Sequence, residues 1–288
     1  MLSYEKIYFG PTCNNRCTVC DVPADDTPRS LNELVRQVDA LSDPENVELS
    51  GGEPSLHEGL LPLISHIRRR GGKRIKLRTN GRTLADRGVL QTLVREGCRI
   101  FEVSLFGATP NTHEAVTRVR ASFDETLKGF EKLSAHSSMA ETDESIYVTA
   151  RIGVTAENVE DLLPMVSLLM SYGVDVLRFV RMGTRLSVIQ GAQAVATAMK
   201  VATLNRVWSV SEGFPPCIMK GSECHLTELI QPKTFPGNKP KSCSKCVFSP
   251  LCAGPPEGYG QRDFRAVATF PYFRGLEYLM ELTASRAN

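Results

Sequence analysis

Apolar and polar positions along the chain form a regular succession of short strand-like patterns and longer helix-like patterns. The strand-like stretches are rich in β-branched and aromatic residues, and the patterns between them carry apolar residues at helical spacing. Strands that alternate with helices in this way predict βαβ units with a parallel sheet, so the predicted fold class is α/β. The six predicted strands are Tyr4–Phe9, Asn46–Leu49, Arg74–Thr79, Arg99–Leu105, Ile146–Val154 and Val174–Val180.

The helical patterns have recognisable ends. Ser30, with Glu33 three residues later, predicts a capping box at the start of the first helix. After the sixth strand, a long helix is predicted over about Val188–Val210, with an Ala-rich centre that suits close packing. The other predicted helices span Leu31–Leu41, His57–Arg70, Leu84–Glu96, Asn111–Val119, Phe123–Ala135 and Glu157–Tyr172.

The texture of the sequence changes beyond about Ser211, where Gly, Pro and Cys become more frequent and regular periodicity fades. This stretch has too few apolar residues to build a core of its own, so we expect a small appendage held together by metal. The predicted domains are therefore residues 1–210, the α/β core, and residues 211–288, a cysteine-rich C-terminal segment.

Composition places the chain among ordinary globular proteins, with 42% hydrophobic and 23% charged residues and a net charge of +2. Because no block of one charge sign dominates either half, we expect no nucleic-acid or membrane partner. No secretory signal and no apolar run long enough to span a bilayer are apparent. Nine cysteines without a secretion signal favour metal or redox use over disulfides, in a cytoplasmic protein.

The most specific motif is Cys13-Asn14-Asn15-Arg16-Cys17-Thr18-Val19-Cys20, directly after the first predicted strand. Loops after strands carry the chemistry of barrel-type α/β enzymes. Thiolates at this Cys-x3-Cys-x2-Cys spacing can bind three irons of a [4Fe–4S] cluster and leave the fourth iron open for a small molecule. The alternative is a zinc loop, which would need a fourth ligand from elsewhere in the chain.

A second motif, Ser50-Gly51-Gly52-Glu53-Pro54, follows the second predicted strand. Its glycine pair leaves backbone groups uncovered, although such a pair alone is also typical of a plain turn. With the cysteine motif before it, the sequence resembles the radical SAM superfamily, from whose usual pattern it departs at Val19, where an aromatic residue is common. The resemblance implies a partial (β/α)6 barrel, here with a small irregular C-terminal cysteine-rich iron–sulfur extension.

The resemblance also implies roles for residues at matching positions. Cysteines 13, 17 and 20 would bind the cluster, and Gly51-Gly52-Glu53 would hold the amino group of S-adenosylmethionine. Ser104 resembles the residue that contacts the ribose, and Arg151 the basic residue that pairs with the methionine carboxylate. From the residues alone, Ser104 is equally typical of a turn. Arg151 points away from the side of its neighbours Ala150 and Ile152, which also suits a solvated face.

A second set of cysteines lies near the C-terminus. Cys243, Cys246 and Cys252 have the spacing Cys-x2-Cys-x5-Cys, and Cys217 lies upstream. This pattern resembles the auxiliary-cluster segment of the SPASM and Twitch radical SAM enzymes, and it implies one further [4Fe–4S] cluster bound by these four thiolates. Cys224 competes with Cys217 for the upstream place, and a tetrathiolate zinc site is the alternative to a cluster.

The resemblance implies an oxidoreductase that reductively cleaves S-adenosylmethionine at the [4Fe–4S] cluster to a 5′-deoxyadenosyl radical. That radical would abstract a hydrogen atom from a substrate, and a flavodoxin or ferredoxin would supply electrons. The auxiliary segment favours a peptide or protein substrate, as in maturases, with a small molecule of cofactor or natural-product biosynthesis as the alternative. Two readings from other classes remain: an iron–sulfur scaffold or electron carrier, and a zinc-stabilised binding module.

Overall fold

A computed structural model describes residues 3–23, 25–139, 145–219, 221–222, 225–227, 239–252 and 254. These residues form one seven-stranded sheet in which the strands lie in chain order and every neighbouring pair is parallel. The sheet is open, with the first and last strands at its edges. The strands are β1 (Glu5–Tyr8), β2 (Asn46–Ser50), β3 (Arg74–Thr79), β4 (Cys98–Leu105), β5 (Tyr147–Val154), β6 (Val176–Arg181) and β7 (Trp208–Glu212).

Helices connect each strand to the next. The predicted capping box is present, since the Ser30 backbone N–H donates to Glu33 over 2.7 Å and the Glu33 N–H donates to the Ser30 hydroxyl over 3.4 Å. None of the described helices is both long and apolar enough to cross a membrane. They are α1 (Leu31–Asp39), α2 (Leu60–Arg69), α3 (Arg87–Arg95), α4 (Pro110–Thr117), α5 (Ser122–Met139), α6 (Leu162–Ser171) and α7 (Val188–Leu204).

The predicted α/β class and all six predicted strands are confirmed, but the predicted end of the last helix is wrong. The helix that was expected to reach Val210 ends at Leu204. Arg206 then adopts a left-handed backbone with φ of 62°, and Val207 N–H donates to Ala202 O over 3.0 Å. This is the Schellman arrangement that closes helices, and here an arginine occupies the position where glycine is usual. The sequence therefore lacked the glycine that normally marks the stop.

The shorter helix leaves room for β7, a seventh strand that the hydrophobic pattern did not predict. Ser209 and Ser211 are fully buried on either side of Val210, so small polar residues occupy positions that usually carry apolar side chains. The strand pairs in parallel with β6, with Val176 opposite Trp208. It crosses residue 210, where the sequence predicted a domain boundary.

The two faces of the sheet differ sharply in polarity. In β3, Ile75 and Leu77 are buried in the apolar core between sheet and helices, whereas Lys76 and Arg78 lie on the other face. Successive side chains of a strand point to opposite faces, so the alternation in sequence places charge on the inner, concave side. The parallel register aligns Arg78 with Glu102 of β4 on that side. The inner face of the sheet is therefore suited to polar side chains and polar ligands.

The described part of the C-terminal segment packs on the same apolar core. Met219, Leu226 and Phe248 are buried in the core cluster that contains the sheet residues. This segment has two short 3₁₀ helices: Pro216–Ile218, which contains Cys217, and Lys241–Lys245, which contains Cys243. The division into two domains stays a prediction.

Candidate active site

Cys13, Cys17 and Cys20 follow β1 and line one cavity of about 480 Å³, which we call the cysteine cavity. Gly51 and Gly52, which follow β2, line the same cavity. Parallel strands bring their carboxyl ends to the same edge of a sheet, so two motifs about 30 residues apart in sequence meet in space. The structure thus brings together the two motifs that the sequence singled out.

The cysteine loop is tied to the end of α4. The backbone N–H of Arg16 donates to Thr117 O, and that of Thr18 donates to Val116 O, both over 2.9 Å. The last carbonyls of a helix have no partner within the helix, so these two hydrogen bonds satisfy them. The loop is therefore held by a rigid element on one side.

The three thiols influence one another electrostatically, as close neighbours do. Burial, together with the charges of Cys13 and Cys20, raises the pKa of Cys17 to about 12, and Arg151 opposes this rise. Burial also raises the pKa of Cys13. Three thiolates cannot share this cavity without positive charge between them, and a bound metal centre supplies such charge and deprotonates the thiols. The electrostatics fit a metal-binding loop.

Gly51 and Gly52 lie directly under the cysteine loop. Gly51 has a φ of 137°, and a Cβ built there would come within 2.9 Å of Gly10 O. A Cβ on Gly52 would collide with the carbonyl oxygen of Thr12. The Gly52 N–H donates to Gly10 O over 2.8 Å, which ties the glycine pair to the end of β1. Any side chain at these positions would push the cysteine loop away.

Glu53 points into the fold behind the cavity. Its carboxylate accepts hydrogen bonds from Ser55 N and Oγ at 3.1 and 2.5 Å, from Thr79 Oγ1 at 2.8 Å and from Asn80 N at 2.6 Å. Burial raises its pKa, and these hydrogen bonds oppose the rise. Glu53 is not among the described residues that line the cysteine cavity. Its carboxylate positions the glycine segment by joining the loops after β2 and β3.

Asn80 and Arg82 hold the cysteine loop from the other side, and sequence reasoning missed both. Asn80 Nδ2 donates to Asn14 Oδ1 over 2.6 Å and lies 3.9 Å from Cys13 Sγ. Arg82 Nη1 donates to Asn14 O over 2.5 Å and to Asn15 Oδ1 over 2.9 Å. The available signal was their place after β3, at the same edge of the sheet as the two motifs.

Ser104 and Arg151 line the cysteine cavity from β4 and β5, where they lie opposite each other in the strand register. Arg151 is only 6% exposed, so the solvated-face alternative does not hold for it. Its Nε lies 3.8 Å from Glu102 Oε1, and its Nη1 lies 3.6 Å from Met182 Sδ. Burial, together with the positive charge of Arg78, lowers the pKa of Arg151 to about 10, and Glu102 opposes this effect. Arg151 is thus a buried cation aimed at the cavity.

Residues 7–179, more than half of the chain, match the sequence profile of the family described as the Radical SAM superfamily. The chain belongs to this superfamily. Among curated relatives, a GTP 3′,8-cyclase of Clostridium perfringens (strain SM101 / Type A) is 29% identical over 140 residues, which cover 46% of this chain and 42% of the cyclase. An AdoMet-dependent heme synthase of Methanosarcina barkeri is 32% identical over 131 residues, covering 42% of this chain and 36% of the synthase. The chain thus spans less than half the length of these relatives.

Solved structures share the fold of this radical SAM protein. SuiB of Streptococcus suis superposes with a TM-score of 0.58 at 13% identity, covering 72% of this chain and 49% of SuiB. The FeFe-hydrogenase maturase HydG from Carboxydothermus hydrogenoformans also gives 0.58 at 13% identity, covering 99% and 66%. At such identities the likeness concerns the fold alone.

Membership of the radical SAM superfamily implies a [4Fe–4S] cluster and S-adenosylmethionine, and the residues present fit both. Three thiols line one cavity of about 480 Å³. Beside them lie a glycine pair with no tolerance for side chains and the buried guanidinium of Arg151. A thiolate trio for iron and a cation for a carboxylate are the donors that this pair of cofactors needs.

In this radical SAM protein the described C-terminal cysteines also lie near one another. Burial, together with the charges of Cys252, Cys246 and Cys243, raises the pKa of Cys217 to about 11. All four thiols are partly buried. Cys224, the competitor for the upstream position, lies outside the described residues. The assignment of the four ligands stays a prediction.

The described cysteines are not arranged around a single ion. No group of three or more His, Cys, Asp or Glu side chains among the described residues is placed to hold one metal ion. A zinc ion would draw its thiolates to within about 2.3 Å of one atom, whereas each thiolate of a [4Fe–4S] cluster binds a different iron. The choice between a cluster and zinc at the C-terminal cysteines stays a prediction.

Cys98 differs from the other cysteines. It is fully buried at the start of β4, and its thiol donates weakly to Ile75 O over 3.7 Å. Burial raises its pKa to about 12, so it stays a neutral thiol. Such a residue acts as part of the apolar core.

Proposed function

We propose that this protein is a radical SAM enzyme that removes a hydrogen atom from its substrate. Cys13, Cys17 and Cys20 would hold a [4Fe–4S] cluster, and the same cavity would hold S-adenosylmethionine next to it. When bound, these cofactors supply a 5′-deoxyadenosyl radical. The observation that carries the proposal is the convergence of three thiols and the Gly51-Gly52 pair on one cavity.

The surrounding residues orient S-adenosylmethionine. The backbone of Gly51 and Gly52 receives its amino group, because no side chain covers that backbone. Arg151 pairs with the methionine carboxylate, and Ser104 hydrogen-bonds the ribose, since both line the cavity. Glu53 acts indirectly, through the hydrogen bonds that hold the glycine segment.

The substrate binds in a second cavity of about 500 Å³, which we call the inner cavity. It lies on the concave side of the sheet and is lined by charged side chains that include Lys76, Glu102 and Arg178. Arg78 and Arg151 line both cavities, so the two are contiguous at these residues. A hydrogen atom of a substrate here would be within reach of the cysteine cavity.

We propose a peptide or protein as the substrate. The four C-terminal cysteines support this class if they bind an auxiliary cluster, and the fold similarity to SuiB, which has been crystallised with its precursor peptide, is compatible with it. A small molecule is the second candidate. The charged lining of the inner cavity and the sequence similarity to GTP 3′,8-cyclases favour it. In either case a flavodoxin or ferredoxin supplies electrons.

Iron content and product formation test the proposal together. The protein is reconstituted without oxygen, reduced with dithionite and assayed for 5′-deoxyadenosine from S-adenosylmethionine. We expect about eight irons per chain for two [4Fe–4S] clusters, and about four in a variant with Ala at residues 13, 17 and 20. That variant should form no 5′-deoxyadenosine. A variant with Ala at residues 217, 243, 246 and 252 should retain about four irons and still form it.

The outcomes separate the alternatives. If S-adenosylmethionine neither changes the EPR spectrum of the reduced cluster nor yields 5′-deoxyadenosine, the protein is an iron–sulfur carrier and the proposal fails. If the wild type holds four irons and the triple variant holds none, the C-terminal cysteines hold zinc or nothing, and zinc analysis distinguishes these two. A colourless protein with zinc alone would support the binding-module reading.

A further inference from the structure

The inner cavity carries an excess of positive charge. Its described lining includes four carboxylates and six basic side chains, namely Lys6, Lys76, Arg78, Arg151, Arg178 and Arg181. In water such an imbalance is screened, but inside a fold it creates a strong local potential. An anionic occupant would relieve it.

Much of this charge is concentrated around one carboxylate. Glu102 is 3% exposed and lies 3.2 Å from Arg178 and 3.8 Å from each of Lys76, Arg78 and Arg151. Burial would raise the pKa of Glu102, but these positive charges outweigh it and lower the pKa to about 2. One negative charge is therefore shared among four cations.

Two of these cations have a second, close partner. Lys76 Nζ lies 2.5 Å from Glu48, and Arg178 Nη2 lies 2.6 Å from Glu212. Contacts at these distances are charge-assisted hydrogen bonds, so both side chains are committed to structure. They are poor choices for binding a substrate.

Arg78 is held much more loosely. Among the described residues, its ion pairs are 3.8 Å to Glu102 and 3.9 Å to Asp21, and the Asp21 side chain is 72% exposed. Both separations exceed the length of a hydrogen bond between a guanidinium and a carboxylate. Arg78 therefore retains donors for a bidentate contact with an incoming anion.

The position of Arg78 also separates it from Arg151. Both residues line the two cavities, but under the proposed function Arg151 is occupied by the methionine carboxylate. Arg78 then remains as the guanidinium beside the place where the substrate meets S-adenosylmethionine. An anion bound there would fix the distance between the substrate and the reacting centre.

We propose that the substrate carries a carboxylate or phosphate group and that Arg78 binds this group at the junction of the two cavities. The inference rests on the proposed function and deepens it, because it defines the substrate class. It applies equally to an acidic peptide side chain and to a small acid or phosphate ester.

The test uses the reconstituted wild-type protein with S-adenosylmethionine bound, at one fixed low ionic strength. Equilibrium dialysis measures the binding of radiolabelled inorganic phosphate and, separately, of radiolabelled succinate. Arg78→Gln should weaken the binding of the preferred anion at least tenfold. Arg78→Lys keeps the positive charge but loses the paired N–H donors of the guanidinium, so it should weaken anion binding less than Arg78→Gln does. It replaces Arg78→Gln in the test if that variant does not fold. Arg69→Gln removes an exposed charge on α2 and should leave binding unchanged.

Phosphate binding alone would identify a phosphorylated substrate, and succinate binding alone a carboxylate. If the wild type binds neither anion, or if folded Arg78 variants bind as well as the wild type, the inference is overturned. The effect of S-adenosylmethionine on the EPR spectrum of the wild-type cluster is recorded in parallel. Its absence would overturn the proposed function itself, whereas its presence without Arg78-dependent binding would overturn only this inference.

Discussion

The carboxylate of Glu53 accepts a 2.6 Å hydrogen bond from the backbone N–H of Asn80, and it thereby joins the loops that follow two adjacent strands. The first of these loops carries the glycine pair, and the second holds the cysteine loop through the Asn80 side chain. The geometry of the cofactor cavity therefore depends on a residue that lies behind it.

Glu53→Gln should destabilise the protein and weaken binding of S-adenosylmethionine. Oε2 of Glu53 accepts a hydrogen bond from the backbone N–H of Asn80. If the side-chain amide nitrogen of the glutamine took the place of Oε2, two hydrogen-bond donors would face each other without an acceptor. A buried unsatisfied pair of this kind costs about 1–3 kcal/mol. Urea unfolding and cofactor titration measure the two effects. Glu58→Gln, an exposed neighbour, is the matched control. If Glu53→Gln unfolds with the same midpoint as the wild type, the joining role is refuted.

Asn80→Ala should lower the retention of iron without unfolding the protein. The side chain holds Asn14 over 2.6 Å and lies 3.9 Å from Cys13 Sγ, so its loss loosens the cysteine loop where the first ligand lies. The rate of iron loss to a chelator is the readout, and we expect it to rise severalfold. Asn111→Ala removes the same side chain from an exposed site on α4 and should lose iron like the wild type. Equal rates for both variants would contradict the assignment.

Glu102→Gln should cost stability in a way that depends on pH. The folded pKa of about 2 lies below the usual value of about 4.5, so the stabilising contribution is present above pH 4.5 and is lost as the pH falls toward 2. The difference between these two pKa values corresponds to a contribution of about 3 kcal/mol to the free energy of unfolding when the carboxylate is charged.

The free energy of unfolding of wild type and Glu102→Gln, measured by denaturant at several pH values, checks this prediction. The difference in free energy of unfolding between the two proteins, which we call the gap, should be constant from pH 8 to about 5.5 and should become smaller at lower pH. Glu160→Gln, at an exposed position, should show no gap. A gap that widens on acidification would mean that Glu102 is not held charged by its four cations.

Arg206→Gly should leave the stability unchanged or raise it by up to about 1 kcal/mol. Arg206 has a φ of 62°, a conformation that strains residues with a side chain and that glycine adopts freely. Lys200→Gly, at an exposed position inside α7, should instead lower the stability by about 1 kcal/mol. Melting temperatures of the two variants give the sign. Destabilisation of both by the same amount would show that Arg206 does not close the helix.

Much of the fold was predictable because local pattern and global fold agree. Strands such as β3, with Ile75 and Leu77 alternating with Lys76 and Arg78, signal a sheet with one apolar face. β7 could not be predicted in this way, since its buried Ser209 and Ser211 carry no hydrophobic signal and Arg206 replaces the usual glycine stop.

In the candidate site, too, the residues that could be predicted are those that a local sequence pattern encodes. The spacing of Cys13, Cys17 and Cys20 and the following Gly51-Gly52 pair identified the chemistry, because ligands and glycines from one loop are encoded in contiguous residues. Asn80 and Arg82 were missed, because their role arises from contacts with the cysteine loop, more than 60 residues away in sequence.

By itself the sequence determined the alternation of strands and helices, the parallel α/β class and the cysteine and glycine motifs, all of which depend on spacing along the chain. Only the tertiary structure decided that Arg151 is buried, that Glu53 faces away from the cavity and that Glu102 lies among four cations. The physical reason is that burial and charge compensation depend on which strands lie side by side. The parallel register placed Arg78 opposite Glu102, and no local pattern encodes that pairing.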